Sequence, residues 1–122
     1  MARILIIEDD EEMRSLLQDF LGDEGYKTDA ASSGSEAFRK LAEGTFDLVI
    51  TDVRMGDKDG MEVLKAFKKI APETTVIMIT AFANLDAAIE ALRGDVHDFF
   101  PKPVKIKELK ASIARAMEKS AA

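Results

Sequence analysis

The sequence predicts an α/β protein built on a doubly wound, five-stranded parallel sheet with five helices. Two observations support this fold class. First, three short segments of the 122-residue chain are continuously apolar, which is typical of strands buried on both faces of a parallel sheet. Second, the segments between strands carry apolar residues at helical spacing. Helices in these positions provide the right-handed crossovers that parallel strands require.

The predicted strands cover residues 4–7, 26–31, 48–50, 76–79 and 96–100. The first, third and fourth of these are the continuously apolar segments, so we expect them in the centre of the sheet. The second and fifth mix apolar and polar residues, which favours positions nearer an edge. The spacing leaves room for one helix after each strand.

Five helical segments alternate with these strands. The first helix is predicted to end at Gly22 and the third at Pro72, Ser33 and Glu36 form a capping box that begins the second, and the fourth covers about residues 85–92. The first, second, third and fifth helices each have an apolar face. The residues on these faces are, in chain order, Met13, Leu16, Leu17, Phe20 and Leu21, then Ala37, Phe38 and Leu41, then Val63, Phe67 and Ile70, and finally Ile106, Leu109, Ile113 and Met117.

Length and composition exclude several classes of protein. A chain of 122 residues has the size of one domain, so we expect a single domain over residues 1–122. Its apolar runs are too short to span a bilayer, and no apolar signal segment follows Met1, which predicts a cytoplasmic protein. The absence of cysteine excludes disulfides and thiolate metal sites, and the net charge of −6 argues against direct nucleic-acid binding.

Polar residues stand where the predicted strands end. Glu8 and Asp9 follow the first strand, Asp52 the third, Thr80 the fourth and Lys102 the fifth. In an open α/β sheet the ligand site lies outside the carboxyl ends of the strands. The sequence therefore predicts that three acids, one hydroxyl and one amine meet at one edge of the sheet.

The acids at this edge indicate a metal site. Clustered carboxylates repel each other unless a divalent cation joins them, and an all-oxygen donor set without cysteine favours Mg²⁺, with Mn²⁺ as a substitute. We assign the metal to Glu8 and Asp9. Asp10, Glu11 and Glu12 instead suit the start of a helix, where the helix dipole favours negative charge.

These segments resemble the CheY-like receiver domain of bacterial two-component response regulators. The resemblance is carried by "IIEDDEEMR", by "LVITDVRM" with the following Asp59-Gly60, by Thr80-Ala81 and by Lys102-Pro103. It implies a flavodoxin-like strand order 2-1-3-4-5. It further implies that Asp52 accepts a phosphoryl group from a sensor histidine kinase while one Mg²⁺ is bound by Asp9, Asp52 and the backbone carbonyl of Arg54, with Glu8 acting mainly through water.

The resemblance also implies a switch. Lys102 is expected to pair with Asp52 before phosphorylation and with a phosphoryl oxygen afterwards, and a cis Lys102-Pro103 bond would aim it there. Thr80 would then donate to the phosphoryl group while Phe99 turns inward. The output face, made of the fourth helix, fifth strand and fifth helix, would contact an effector domain or protein or a second copy of the chain.

Two predictions concern the phosphorylated form of the chain. Arg54 and Phe82 flank the expected phosphoryl group, and neither side chain can act as a base or orient water, so self-dephosphorylation is expected to be slow. The chain would then catalyse only its own phosphorylation and dephosphorylation.

The competing hypothesis is a receiver-like docking module that never takes phosphate. The presence of every site residue argues against a docking module. Phosphorylation by a small phosphodonor distinguishes the two hypotheses.

Overall fold

The computed structural model describes residues 2–52, 60–80 and 96–121. Five strands and four helices lie within these ranges. The strands are β1 (Arg3–Ile7), β2 (Lys27–Ala31), β3 (Leu48–Asp52), β4 (Thr75–Thr80) and β5 (Asp98–Pro101), and the helices are α1 (Glu11–Asp23), α2 (Gly34–Glu43), α3 (Gly60–Ile70) and α4 (Ile106–Ala121). The helix predicted over residues 85–92 falls outside the described residues.

The strands form one sheet in the order β2-β1-β3-β4-β5, and every pair is parallel. Ile50 of β3 lies opposite Ile6 of β1 on one side and Ile77 of β4 on the other. The predicted fold class and strand order are therefore confirmed. The two weaker strands are the edge strands, as their mixed composition predicts.

Alternate side chains of the central strands pack on opposite faces of the sheet. Leu5 and Ile7 belong to a core cluster with Phe67 of α3, whereas Ile4 and Ile6 belong to a second cluster with Leu17 of α1. All of these side chains are at most 1% exposed. Since full burial of such a side chain stabilises the fold by about 1.5–3 kcal/mol, both faces favour an apolar residue at every strand position.

The C-terminus of α1 differs from the prediction. The helix does not end at Gly22 but continues to Asp23, and Gly25, two residues later, has a positive φ of 93°. The N–H of Gly25 donates to the Gly22 carbonyl and the N–H of Tyr26 donates to the Leu21 carbonyl, at 3.0 and 3.1 Å. This pair of bonds needs a left-handed residue directly after the cap, where glycine is favoured.

The start of α2 follows the predicted capping pattern with one change. The Ser33 hydroxyl accepts from the Glu36 N–H at 3.2 Å. The Glu36 carboxylate accepts at 3.0 Å from the N–H of Ser32, one residue before the N-cap, whereas a capping box places that donor on the N-cap residue. The capping still satisfies one free N–H inside the helix and one before it.

The boundaries of all five strands agree with the prediction within two residues. Helix α3 ends at Ile70, two residues before Pro72, although Ile70 is 62% exposed and so does not contribute to the core. Strand β5 begins at Asp98, so His97 precedes the strand and its N–H donates to the Val76 carbonyl at 2.8 Å. Among the described residues, no helix combines the length and apolarity needed to cross a bilayer.

Candidate functional site

Three acidic residues meet at the carboxyl edge of the sheet. Glu8 and Asp9 follow β1, and Asp52 is the last residue of the neighbouring β3. One carboxylate oxygen from each residue lies within 4.8 Å of the others. Glu8 and Asp52 are buried, at 3% and 7% exposure, and Asp9 is exposed. Three oxygen donors at this separation fit the donor set of a Mg²⁺ ion.

Lys102 lies against two of these acids. Its Nζ is 2.6 Å from Asp52 Oδ2 and 2.7 Å from Glu8 Oε1. The expected pairing of Lys102 with Asp52 is therefore present. The pairing with Glu8 was not predicted, because the sequence assigns Glu8 to the metal alone. The Lys102-Pro103 peptide bond, at the end of β5, is cis as predicted.

Burial and pairing shift the pKa values of Glu8 and Lys102. Burial raises the pKa of Glu8 above its usual value, and the hydrogen bonds from Lys102 and from the Asp10 N–H only partly reverse that effect. Burial acts to lower the pKa of Lys102, but its hydrogen bonds to Asp52 and Glu8 outweigh burial and raise that pKa. At neutral pH the ammonium group is therefore charged and neutralises part of the negative charge of the cluster.

The loop between β1 and α1 holds Glu8 at several points. Its N–H donates to the Ala31 carbonyl at 3.0 Å, and its Oε2 accepts from the Asp10 N–H at 3.1 Å. The Asp10 side chain in turn accepts from the Glu12 N–H at 3.2 Å and caps α1. The predicted role of the acids after Asp9 as a helix start is confirmed.

Arg14 also contacts this loop, which sequence reasoning did not predict. Its Nη1 donates to the Glu8 carbonyl at 2.9 Å and lies 3.5 Å from the Asp9 carbonyl. A sequence signal was available, because a cation near the N-terminus of a helix is unfavourable for the helix dipole. An arginine in that position therefore indicates a contact that offsets the cost.

Of the other predicted site residues, the structure describes Thr80 and Phe99. Thr80 is the last residue of β4, opposite Pro101 of β5, so its backbone lies at the same edge as the acids. Phe99 is half-buried and packs against the core cluster that contains Phe67. Arg54 and Phe82 lie outside the described residues.

An apolar groove of about 410 Å³ adjoins the acidic cluster. Leu16 of α1 lies on this groove and is 54% exposed, so it does not join the buried face of α1 that its helical spacing predicts. The other residues that line the groove are Asp10, Met13, Lys102, Pro103, Val104 and Ile106. An exposed apolar surface beside a polar site favours contact with another molecule.

Comparisons with known proteins agree with this geometry. The chain is 36% identical over 114 residues to the transcriptional regulatory protein ZraR of Klebsiella oxytoca. The matched segment covers 93% of this chain and 26% of ZraR. A response regulator receiver domain protein from Clostridium thermocellum has a TM-score of 0.90 at 32% identity, covering 99% of this chain and 98% of that one. The response regulator TrrA of Thermotoga maritima, solved in complex with Mg²⁺-BeF, has a TM-score of 0.86 at 31% identity and covers 95% of this chain and 99% of its own.

The family model for the response regulator receiver domain matches residues 4–114, which include every described site residue. The chain spans about a quarter of the length of the curated relative ZraR. This match, the strand order and the relatives agree with one another. The chain belongs to the response regulator receiver domain family, whose members act in two-component signalling.

Proposed function

We propose that the chain is a single receiver domain over residues 1–122 in which Asp52 accepts a phosphoryl group from a sensor histidine kinase. The observation that carries this proposal is the convergence of Glu8, Asp9 and Asp52 oxygens within 4.8 Å of one another, with Lys102 bound to two of them. A carboxylate among other acids is a poor structural choice unless cations share the site. The same arrangement supplies a nucleophile and the charges that phosphoryl transfer needs.

In the proposed reaction a carboxylate oxygen of Asp52 attacks the phosphorus of a phosphohistidine. The phosphorus–nitrogen bond breaks, the imidazole leaves with its electron pair and takes a proton from water, and an acyl phosphate forms on Asp52. Glu8, Asp9, Asp52 and the Arg54 carbonyl would hold Mg²⁺, or Mn²⁺ in its place, which would neutralise negative charge on the transferring group. Lys102 would then move from the Asp52 carboxylate to a phosphoryl oxygen.

The contacts of Glu8 and Asp9 support different roles for these two acids at the metal. Glu8 Oε1 is already paired with Lys102 at 2.7 Å, and Glu8 Oε2 is engaged by the Asp10 N–H at 3.1 Å. Asp9 is exposed and carries no such pairing with Lys102 among the described contacts. This division supports direct metal contact by Asp9 and an indirect role for Glu8.

We propose that Thr80 and Phe99 carry the signal away from Asp52. The Thr80 hydroxyl would donate to the phosphoryl group, and Phe99 would move further into the core cluster beside it. Both residues lie on adjacent strands, β4 and β5. The output face would then be formed by the predicted helix over residues 85–92, β5 and α4, and would contact an effector domain, an effector protein or a second copy of the chain.

The apolar groove beside Lys102 supports a protein as the phosphodonor. A kinase that delivers a phosphoryl group to Asp52 must approach the carboxyl edge of the sheet, where Leu16 is 54% exposed. We propose that the kinase covers this groove during transfer, and that the domain works in the cytoplasm without contacting nucleic acid or membrane. The only reactions we assign to the domain itself are its own phosphorylation and dephosphorylation.

Phosphate uptake from a small donor tests the proposal. The wild type, Asp52→Asn and the control Asp23→Asn are incubated with acetyl phosphate, with and without Mg²⁺, and their intact masses are measured. Asp23 is an exposed residue at the end of α1, so its amide should change nothing. We expect Mg²⁺-dependent uptake by the wild type and Asp23→Asn but not by Asp52→Asn. No uptake by the wild type would instead support the docking-module hypothesis.

A further inference from the structure

Arg14 reaches back from the first turn of α1 to the loop that carries the acids. Its Nη1 is 2.9 Å from the carbonyl oxygen of Glu8 and 3.5 Å from that of Asp9. The first contact is a well-formed charge-assisted hydrogen bond, and the second is at the distance limit of a weak one. One guanidinium nitrogen thus contacts two successive peptide groups.

These two peptide groups flank the Cα atom of Asp9. The orientation of the peptide planes before and after a residue sets its φ and ψ, and these angles set the direction of its Cα–Cβ bond. Contacts to both carbonyls therefore restrain the direction in which the Asp9 carboxylate points.

Asp9 depends on such a restraint more than the other two acids do. Glu8 and Asp52 are 3% and 7% exposed, so packing and Lys102 hold their side chains. Asp9 is exposed and its carboxyl group lies beside that of Glu8, with no paired cation among the described contacts, so neither packing nor an ion pair fixes its direction. A carboxylate that must bind a metal loses affinity when its orientation is free, because the ion must then order it.

We infer that Arg14 is a positioning residue that orients Asp9 toward the metal of the acidic cluster. This inference rests on the proposed function, since it assumes that the cluster binds Mg²⁺. It makes a prediction opposite in sign to that of charge alone. Removing a cation near the acids should tighten Mg²⁺ binding by Coulomb attraction, whereas removing a positioning contact should weaken it.

The test is a titration of the isotope-labelled chain with MgCl₂ followed by two-dimensional NMR. The same spectra report the fold through their dispersion and the Mg²⁺ Kd through the shifts of the loop amides. The variants are Arg14→Met and Arg14→Gln, which remove the guanidinium, and Arg14→Lys, which keeps a charged donor. Arg39→Met is the matched control, because Arg39 lies on α2 with its side chain 67% exposed.

We expect Arg14→Met and Arg14→Gln to raise the Mg²⁺ Kd about tenfold, in the range found for residues that orient metal ligands. Arg14→Lys and Arg39→Met should stay within about twofold of the wild type. In phosphorylation by acetyl phosphate, the Mg²⁺ concentration for half-maximal rate should rise in the same variants, while the rate at saturating Mg²⁺ stays near that of the wild type.

The outcomes separate the two proposals. An unchanged or lower Kd in Arg14→Met and Arg14→Gln, with Mg²⁺ binding by the wild type intact, would overturn the positioning role and leave the proposed function in place. A wild type that does not bind Mg²⁺ would overturn the metal site, and the role of Arg14 with it. If one removal variant does not fold, the other decides.

Discussion

Lys102 and Asp52 are 50 residues apart in the sequence, yet the Lys102 Nζ lies 2.6 Å from Asp52 Oδ2. The same ammonium group is 2.7 Å from Glu8 Oε1. One cation therefore joins the residue after β1, the last residue of β3 and the residue after β5. Before any metal or phosphoryl group is bound, the Lys102 ammonium group pairs with two buried carboxylates and neutralises part of their charge.

Replacing Lys102 with Met should destabilise the metal-free domain. The substitution removes the ammonium group that pairs with the buried carboxylates of Glu8 and Asp52, which we expect to cost about 2–3 kcal/mol of unfolding free energy at pH 7. Urea unfolding measures this, with Lys105→Met, a nearby exposed lysine, as the control. Added Mg²⁺ should recover more stability in Lys102→Met than in the wild type. Equal stability of Lys102→Met and Lys105→Met would contradict this role for Lys102.

Mg²⁺ should raise the melting temperature of the wild type. An ion that binds only the folded state at ten times its Kd adds about 1.4 kcal/mol, or about 5 °C for a domain of this size. Asp9→Ala should lower Mg²⁺ affinity more than Glu8→Ala, because Glu8 Oε1 is already paired with Lys102. Differential scanning calorimetry across a Mg²⁺ series checks both points. A larger loss of affinity in Glu8→Ala would reverse the assigned roles of the two acids.

Lys40 and Asp29 give a pH-dependent contribution outside the site. Burial acts to raise the pKa of Asp29, but the Lys40 ammonium at 2.8 Å and the Ala30 N–H outweigh it and hold this pKa below the usual 3.8. A carboxyl group whose pKa is lowered in the folded state stabilises that state at pH values above the unfolded-state pKa. This stabilisation is lost as the pH falls through the folded-state pKa.

Lys40→Met should therefore cost stability at neutral pH but not in acid. Because the pair is partly exposed, we expect a difference below about 1 kcal/mol. The difference in unfolding free energy between the wild type and Lys40→Met should be constant above about pH 5, which is at least one unit above the usual aspartate pKa. It should shrink as the pH falls below 3.8. Urea unfolding at a series of pH values measures it, and Lys107→Met, an exposed lysine of α4, is the control. A difference that grows on acidification would be the wrong sign.

Arg54 and Phe82 are predicted to keep the phosphorylated form long-lived. An arginine cannot act as a base and a phenylalanine cannot orient water, so neither should assist the in-line attack of water on phosphorus. Phe82→Glu and Arg54→Asn should each shorten the lifetime by several-fold. Phosphate release from purified phosphorylated protein gives the rates. If both variants keep the wild-type lifetime, these residues do not control hydrolysis.

The central strands are predictable from the sequence because burial on both faces leaves a strong signal. Ile4 and Leu5 point to opposite faces of the sheet, yet both are fully buried, so a continuous apolar run is required. The convergence of Glu8, Asp9 and Asp52 was predictable for a related reason. Parallel strands present their carboxyl ends at one edge, so residues distant in sequence meet there.

Contacts that depend on side-chain length were not predictable. Nothing in the residue order indicates that Lys102 reaches Glu8 as well as Asp52. The position of Arg14 in the first turn of α1 indicates a contact that offsets the helix dipole, but not that its partner is the Glu8 carbonyl. Helical spacing also placed Leu16 on the buried face of α1, but α1 leaves it beside the groove. Likewise, Gly22 and Gly25 are both plausible helix terminators, and only the backbone identifies Gly25 as the residue with positive φ.

The measurement that tests the central claim most directly is the location of the phosphoryl group. The wild type is phosphorylated with acetyl phosphate and Mg²⁺ and then reduced with borohydride, which converts an aspartyl phosphate to homoserine but leaves a free carboxylate unchanged. Peptide mass spectrometry then identifies the modified residue. We predict homoserine at position 52 and at no other aspartate. Conversion at Asp9 or another acid, with position 52 unmodified, would contradict the assignment of Asp52 as the phosphoacceptor.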